Sequence, residues 1–403
     1  MFSPRPIKRR FSEVQGAVGS MVDTAFRTAE RAYRRRDPSA RGAAAAESAQ
    51  RASLIDFGAA LDARDAPPHA DSAQAADAPL DAPLSLGAGR FTLRGHHPGL
   101  QVIPRCFGAA EQIQLAALAL RRWPYRPLGI TNLGELDAPE PARGGACGDK
   151  ACVPVPTYAG LPPAQLSWMT LGYHYDWNSR SYDCNSAAPA SGGRAAAAAS
   201  PLPRRGPMPP LLAEHCARLV PGFAAEAAIV KLYDERGCML AHVDDAERAR
   251  DAPVISISLG CEAVFLLGGL DRETGPVLPI LLRSGDALLL GGRARLCYHG
   301  LARVFARTAP DHFALGAPPR APARAPDSAA AGNGGGAADA ATQPGAEIDA
   351  DAGLSRTRRA PSGGCAPCAE VELSLRLNIL EWEWLRTHRI NINVRQVRAL
   401  TSP

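Results

Sequence analysis

Histidine, aspartate and histidine at positions 242, 244 and 299 are the side chains whose types and spacing could hold a metal ion. His242 and Asp244 lie two apart at a predicted strand end, so both leave the same face of the strand. An imidazole and a carboxylate there could take adjacent positions of an octahedral ion, and His299 could close the triangle. A second constellation lies near the chain's end, Arg389-Ile-Asn391-Ile-Asn393-Val-Arg395. With a period of two, Arg389, Asn391, Asn393 and Arg395 face one side and Ile390, Ile392 and Val394 the other. Two guanidiniums turned inward without an anion would be too costly to bury, so the strand predicts a site for a small dicarboxylate.

Two histidines and one carboxylate leave three positions of an octahedral ion open, the arrangement of non-haem Fe(II) oxygenases. A co-substrate needs two of those positions and dioxygen one, room that a closed four-ligand zinc site lacks. An H-x-D pair alone is common, and a lone strand histidine is usually packed in a core. The conjunction with the arginine strand carries the expectation. Asp245 and Asp286 read as a surface and a turn carboxylate.

The elements that must position these groups are short strands. Between residues 224 and 306, apolar runs recur at 227–233, 239–243, 254–259, 263–267, 277–282, 287–290 and 295–298, with turn signals between them. That spacing predicts a sandwich or jelly roll. Arg283-Ser284-Gly285-Asp286 reads as a hairpin turn. Strand 99–107, helix 109–122, a short helix at 211–219 and a helix at about 377–387 flank the strands. The fold class is therefore mainly β with flanking helices (α+β). Residues 1–90 are expected to be a basic N-terminal helix (20–36) and a disordered linker. One domain is expected over 91–306 and 370–398, interrupted by disordered, low-complexity insertions at 136–165, 184–210 and 307–369.

Composition sets only loose bounds. The net charge of +5 permits a polyanionic partner without demanding one. Lysine occurs at Lys8, Lys150 and Lys231 alone, so nearly all positive charge is arginine, a bias expected of GC-rich coding. Ten cysteines form no disulfide framework. Cys365-Ala-Pro-Cys368 has no second pair at zinc spacing. No secretory signal or membrane-length apolar run is read, so an intracellular setting is expected: nucleus, cytoplasm or mitochondrion. The arginines near the N-terminus suggest a targeting segment, but Glu13, Asp23 and Glu30 break that pattern and leave a basic surface helix as the alternative.

At these residues the chain resembles the AlkB family of Fe(II)/2-oxoglutarate dioxygenases, most closely its homologue-1 branch. The resemblance rests on H-x-D (His242, Asp244), the distal His299 and R-x-N-x-x-x-R-Q (Arg389, Asn391, Arg395, Gln396). Leu171-Gly-Tyr-His-Tyr-Asp-Trp177, Phe265-Leu-Leu-Gly-Gly-Leu270 and Ser284-Gly-Asp286 add to it. It spans roughly 91–135, 166–182, 211–306 and 370–398, and the insertions have no counterpart.

The resemblance implies a double-stranded β-helix with Fe(II) held by His242, Asp244 and His299. It implies 2-oxoglutarate and dioxygen as co-substrates. Arg389 would pair with the distal carboxylate, helped by Tyr233 and Asn391, and Arg395 would sit near the metal-proximal one. Lys231 stands where the family usually has Asn, which puts co-substrate geometry in question although a lysine also donates to a carboxylate. Tyr173, Tyr175 and Trp177 match a nucleotide-recognition lid, against the alternative of ordinary packing; Glu247 would touch a methylated base edge. Arg293, Arg295 and Arg303 could reach phosphates, or form a solvated face. The implied activity is oxidative demethylation of alkylated bases, with tRNA 1-methyladenine first and methylated DNA second, by a monomer with no membrane partner. Two other readings stay open: a same-fold oxygenase of a protein substrate, and a binding module that lost turnover.

Overall fold

Period-two alternation and turn residues resolve into strands, as the spacing predicts. The computed structural model describes residues 23–34, 39, 41–65, 83–87, 89–93, 97–138, 164–182, 205–314 and 377–398. The helices are α1 Ala25–Tyr33, α2 Ala43–Ala52, α3 Phe57–Asp65, α4 Ala109–Arg121, α5 Pro210–Leu219 and α6 Ile379–Leu385. The strands are β1 Pro83–Gly87, β2 Arg90–Leu93, β3 Leu100–Ile103, β4 Ile130–Thr131, β5 Trp168–Gly172, β6 Tyr175–Asp176, β7 Ser181–Tyr182 and β8 Ala227–Tyr233. They continue as β9 Met239–His242, β10 Val254–Gly260, β11 Glu262–Leu267, β12 Leu278–Leu282, β13 Ala287–Leu290, β14 His299–Phe305 and β15 Arg389–Arg395.

Nine strands form the major sheet in the order β1-β2-β3-β13-β10-β15-β8-β5-β4, and four form the minor sheet, β12-β11-β14-β9. The pairs are antiparallel. Between the sheets at one end, Val102, Leu288 and Leu290 of the major sheet meet Phe265, Leu278 and Ile280 of the minor one. On the far side of the major sheet, Ile390, Ile392 and Val394 pack with Ile255 and Val230 against Leu115 and Leu120 of α4 and Leu212 of α5. The order is helix, sheet, sheet, helix: the jelly roll with flanking helices that the sequence predicts. Because helices cover its outer face, β8 is buried at every residue.

The Arg283–Asp286 turn shows why a glycine is needed there. Gly285 has φ +86°, and a Cβ would lie 2.5 Å from Gln112 Nε2. Asp286 is a turn carboxylate, as expected, but a buried one: it is 4% exposed, and its oxygens accept from the backbone N–H groups of Arg283 (2.7 Å) and Arg105 (2.9 Å). Asp245 is exposed, as expected.

The expectation of a linker after residue 36 is corrected over 43–65, while 66–82 lie outside the described residues. Residues 43–65 form α2 and α3, and Leu54 and Phe57 are buried at 8% and 1% exposure. Phe26 of α1, Leu54, Val264, Leu281 and Phe305 form a core on the outer face of the minor sheet. Ion pairs fasten the segment: Arg283 to Asp56 (2.5 Å), Arg51 to Glu262 (2.7 Å), and Arg303 to Glu47. Alanine-rich helices with few large apolar residues give little periodic contrast, so the sequence pattern hides them. Residues 1–22, 139–163, 183–204, 315–376 and 399–403 lie outside the described residues, and with them the Cys365–Cys368 pair and most of the predicted insertions.

Candidate metal centre and co-substrate pocket

His242 ends β9 and His299 begins β14; they are direct partners in the antiparallel ladder. Directly opposed side chains project to the same side, so the pairing brings the two imidazoles together, with ring centroids 4.3 Å apart. Asp244, just past β9, completes the group. His242 Nε2 lies 3.9 Å from Asp244 Oδ1, and His299 Nε2 lies 3.8 Å from Asp244 Oδ2. One ligand atom from each of the three residues falls within 4.8 Å of the others.

The donor set fits a divalent metal. His242 Nδ1 sits 2.9 Å from the Leu240 carbonyl and His299 Nδ1 3.0 Å from that of Cys297. Each ring therefore carries its proton on Nδ1, which leaves both Nε2 lone pairs toward Asp244. Burial, then the neighbouring His299 and Lys231, holds His242 neutral with its pKa pushed down to about 3. Burial likewise lowers His299. For Asp244, burial opposes ionisation, but the Arg395 guanidinium, with Lys231 behind it, outweighs it and holds the carboxyl below its usual range. Neutral imidazoles and an ionised carboxylate are the states that bind metal.

Arg395 was expected beside a co-substrate carboxylate; here its contacts are with the protein's own acids. Its Nη2 donates to Asp244 Oδ2 at 2.8 Å, and its Nε lies 2.9 Å from Glu247 Oε1. Glu247 was expected at a base edge, and this is corrected. It is 3% exposed, with its second oxygen accepting from Arg295 Nη2 at 2.8 Å, so the carboxylate is enclosed between two guanidiniums. Arg295 also donates to the Asp244 carbonyl. The pair of arginines thus aims the Asp244 loop, and Arg295, 1% exposed, is no phosphate contact. Arg303, 7% exposed, bonds to Glu47 and Gln50, so of the three flanking arginines Arg293 alone is exposed.

The pocket beside the centre is lined by Lys231, Tyr233, Arg389, Asn391 and Asn393 from the major sheet and by Met239 and Leu301 from the minor one. Ladder register explains the grouping: Tyr233 opposes Arg389, and Lys231 opposes Asn391. Arg389 is fully buried. Its Nη2 donates to Ser258 Oγ (2.6 Å) and its Nη1 to the Cys261 carbonyl (3.1 Å), while Nε has no hydrogen-bond partner among the described residues. Burial lowers its pKa to about 10. A buried cation with a donor to spare fits an anionic ligand. Asn391 donates to Ser256 Oγ (2.8 Å) and in turn accepts from Asn393 Nδ2 (2.9 Å), so its amide is committed to the wall. Lys231 is 8% exposed, with its pKa lowered to about 8 by burial against the pull of Asp244. Ser256 and Ser258 were missed, although the polar period within Val-Ile-Ser-Ile-Ser-Leu marks them on the pocket face.

The aromatic block is split. Tyr173 is 7% exposed and packs with Tyr182 and Val397 under Arg205, whose guanidinium carbon lies 4.8 Å from the ring centroid, so it cannot offer a free stacking face. Tyr175 and Trp177 stay nearer solvent, their rings 4.7 Å apart and edge-on, and Trp177 is 37% exposed. Trp168 lies 5.1 Å from Trp177 and opposes Lys231 in the β5–β8 ladder, which sets this surface beside the pocket wall.

A His-Asp-His centre between two antiparallel sheets, facing a cationic pocket, defines a jelly-roll metallo-oxygenase. The profile of the 2OG-Fe(II) oxygenase superfamily matches residues 133–395, and the chain belongs to that superfamily. Within it, the chain is similar to ALKBH1 proteins. The Arabidopsis thaliana DNA N(6)-methyladenine demethylase ALKBH1A is 36% identical over 148 residues, 35% of this chain and 38% of that protein. The Homo sapiens nucleic acid dioxygenase ALKBH1 is 34% identical over 140 residues, 35% of this chain and 32% of its own length. The Schizosaccharomyces pombe tRNA demethylase abh1 is 28% identical over 159 residues, 38% and 46% of the two chains. The matched part thus spans well under two thirds of these relatives. A solved structure of OsALKBH1 aligns over 75% of this chain and 98% of its own, at 18% identity and a TM-score of 0.39.

Proposed function

We propose that this protein is a 2-oxoglutarate-dependent dioxygenase that removes N-methyl groups from nucleic-acid bases, acting as a monomer, with tRNA 1-methyladenine as first substrate and methylated DNA bases as second. The observation that carries the reading is the convergence of His242, Asp244 and His299 beside a pocket walled by Lys231 and Arg389. The demethylase names of similar proteins in plant and yeast support the substrate class.

His242, Asp244 and His299 would hold Fe(II), which together with 2-oxoglutarate and dioxygen supplies the oxidation of an unactivated methyl C–H bond. The chain's own groups do the rest. Arg389, braced by Ser258, would bind one carboxylate of 2-oxoglutarate through its guanidinium fork. Lys231 faces the same pocket two residue pairs along the ladder, and would pair with the other carboxylate. Arg395 and Arg295 hold the Asp244 loop. Tyr175 and Trp177 would stack on an extruded base at about 1–3 kcal/mol per base. The formaldehyde lost from the hydroxylated methyl group leaves the bare base.

The test is succinate formation by Fe(II)-loaded protein with a 1-methyladenine tRNA stem-loop, a methylated DNA strand or a methylated peptide. The RNA should drive turnover most strongly; stimulation by the peptide alone would replace this substrate class with a protein. Turnover should vanish in His242→Ala and in Asp244→Ala. Activity that survived both substitutions together would remove the metal assignment. Arg389→Ala should raise the KM for 2-oxoglutarate on the order of 100-fold, the cost of truncating a buried charged hydrogen-bond partner.

A further inference from the structure

We infer that Glu30, on the N-terminal helix α1, is a positioning residue for the metal centre, acting through the strand that carries His242. The inference rests on the His-Asp-His reading above. β9 is the weakest-held strand at the site. It lies at the edge of the minor sheet and pairs on one side only. Its ladder with β14 has two aligned pairs, His299–His242 and Leu301–Met239, with an irregularity between them. An edge strand leaves backbone groups without a sheet partner. Here one of them is taken: the Ala241 N–H donates to Glu30 Oε1 at 2.8 Å, one residue before His242.

Helix α1 is built to keep that carboxylate in place. Thr24 caps its start by accepting from the Arg27 N–H (3.1 Å). The Ala25 and Phe26 N–H groups donate to the Glu273 and Arg272 carbonyls of the β11–β12 loop. Phe26 is 1% exposed and seats over Gly268, where a Cβ would lie 2.9 Å from its ring. Ala241 itself packs against the apolar cluster that holds Phe26, as do Ala29 and Tyr33 of the helix. Glu30 is 13% exposed, so water competes poorly for its hydrogen bond. The helix and β9 thus share one apolar cluster, and one charged hydrogen bond at Ala241 ties them together. The acid that breaks a transit-peptide pattern in the sequence has a structural use.

Groups that orient a metal ligand from behind typically change metal affinity 10- to 100-fold when lost. The experiment is titration of the full-length, metal-free protein with Co(II), followed by visible absorption and calorimetry. Glu30→Met, similar in shape but without an acceptor, should weaken Co(II) binding at least ~10-fold. Glu30→Gln keeps an amide oxygen for the Ala241 N–H and should stay within about 3-fold of the native chain, less than the full loss of such a contact. Arg27→Ala, which removes only the helix's own 3.7 Å surface ion pair, should bind as the native chain does. His242→Ala should not bind. If His242→Ala binds normally, the metal centre itself is misassigned. If His242→Ala fails to bind while Glu30→Met binds like the native chain, or if Gln fares as badly as Met, Glu30 has no positioning role. Should Glu30→Met not fold, amide exchange in the native chain decides: Ala241 should exchange at least ~10-fold more slowly than an unprotected amide, and free exchange would overturn the inference.

Discussion

Lys231 is the side chain at which this pocket departs most from the expected pattern. It is buried in the wall, opposite Asn391, and its pKa is lowered to about 8, first by burial. A lysine with a depressed folded-state pKa carries its charge below that value and loses it above. If Lys231 pairs with a co-substrate carboxylate, the KM for 2-oxoglutarate should rise as pH increases from 7 to 9. In Lys231→Met the KM should be higher at pH 7 and flat across that range. A native KM that is independent of pH would remove Lys231 from the co-substrate site. Glu247 shows how a residue's type misleads without its neighbours. The family resemblance places base recognition at this acid, but Arg395 and Arg295 enclose it. Glu247→Gln should therefore weaken metal binding, through a slackened Asp244 loop, more than it alters the choice among methylated bases.

At the scale of elements, β15 is the strand on which both faces of the major sheet depend. Its isoleucines and valine enter the helix-covered core, while Arg389 and Arg395 serve the other side. Ile392→Ala should lower unfolding stability by about 2–5 kcal/mol through transfer and cavity terms, measured by denaturant unfolding. The loss should be far smaller for Asn393→Ala on the pocket face. β15 was legible because alternation is local, and helix α6 fell within the expected 377–387. Helices α2 and α3 were not legible, because three large side chains, Phe26, Leu54 and Phe57, anchor the whole N-terminal segment. Ion pairs with partners some 200 residues away supply the rest, and no local pattern contains them.

For the whole molecule, burial of neutral histidines sets the acid limit. Burial lowers His174 to about 4 and also lowers His215, His312 and His388. Unfolded histidines protonate near pH 6.5, so the unfolded chain binds more protons below that point. The stability these groups contribute is complete above about pH 6.5 and is lost as pH falls toward 4. Asp286, raised by burial to about 6, works in the opposite direction but is a single group. The thermal midpoint of the metal-free chain should therefore drop between pH 7.5 and pH 5. A midpoint that held or rose would contradict neutral burial. No helix among the described residues is long and apolar enough to cross a membrane.

Strand periodicity, the metal-ligand residue types and the two-faced arginine strand were all determined by the sequence itself, since each is written within a few neighbouring residues. Which cation meets which anion was decided only by the tertiary structure. Cross-strand register brings His242 to His299 and Tyr233 to Arg389, and the Asp244 loop brings Glu247 to Arg395. Register depends on how whole strands pair across the sheet, so the partner that fixes a side chain's charge and role lies far from it in the chain.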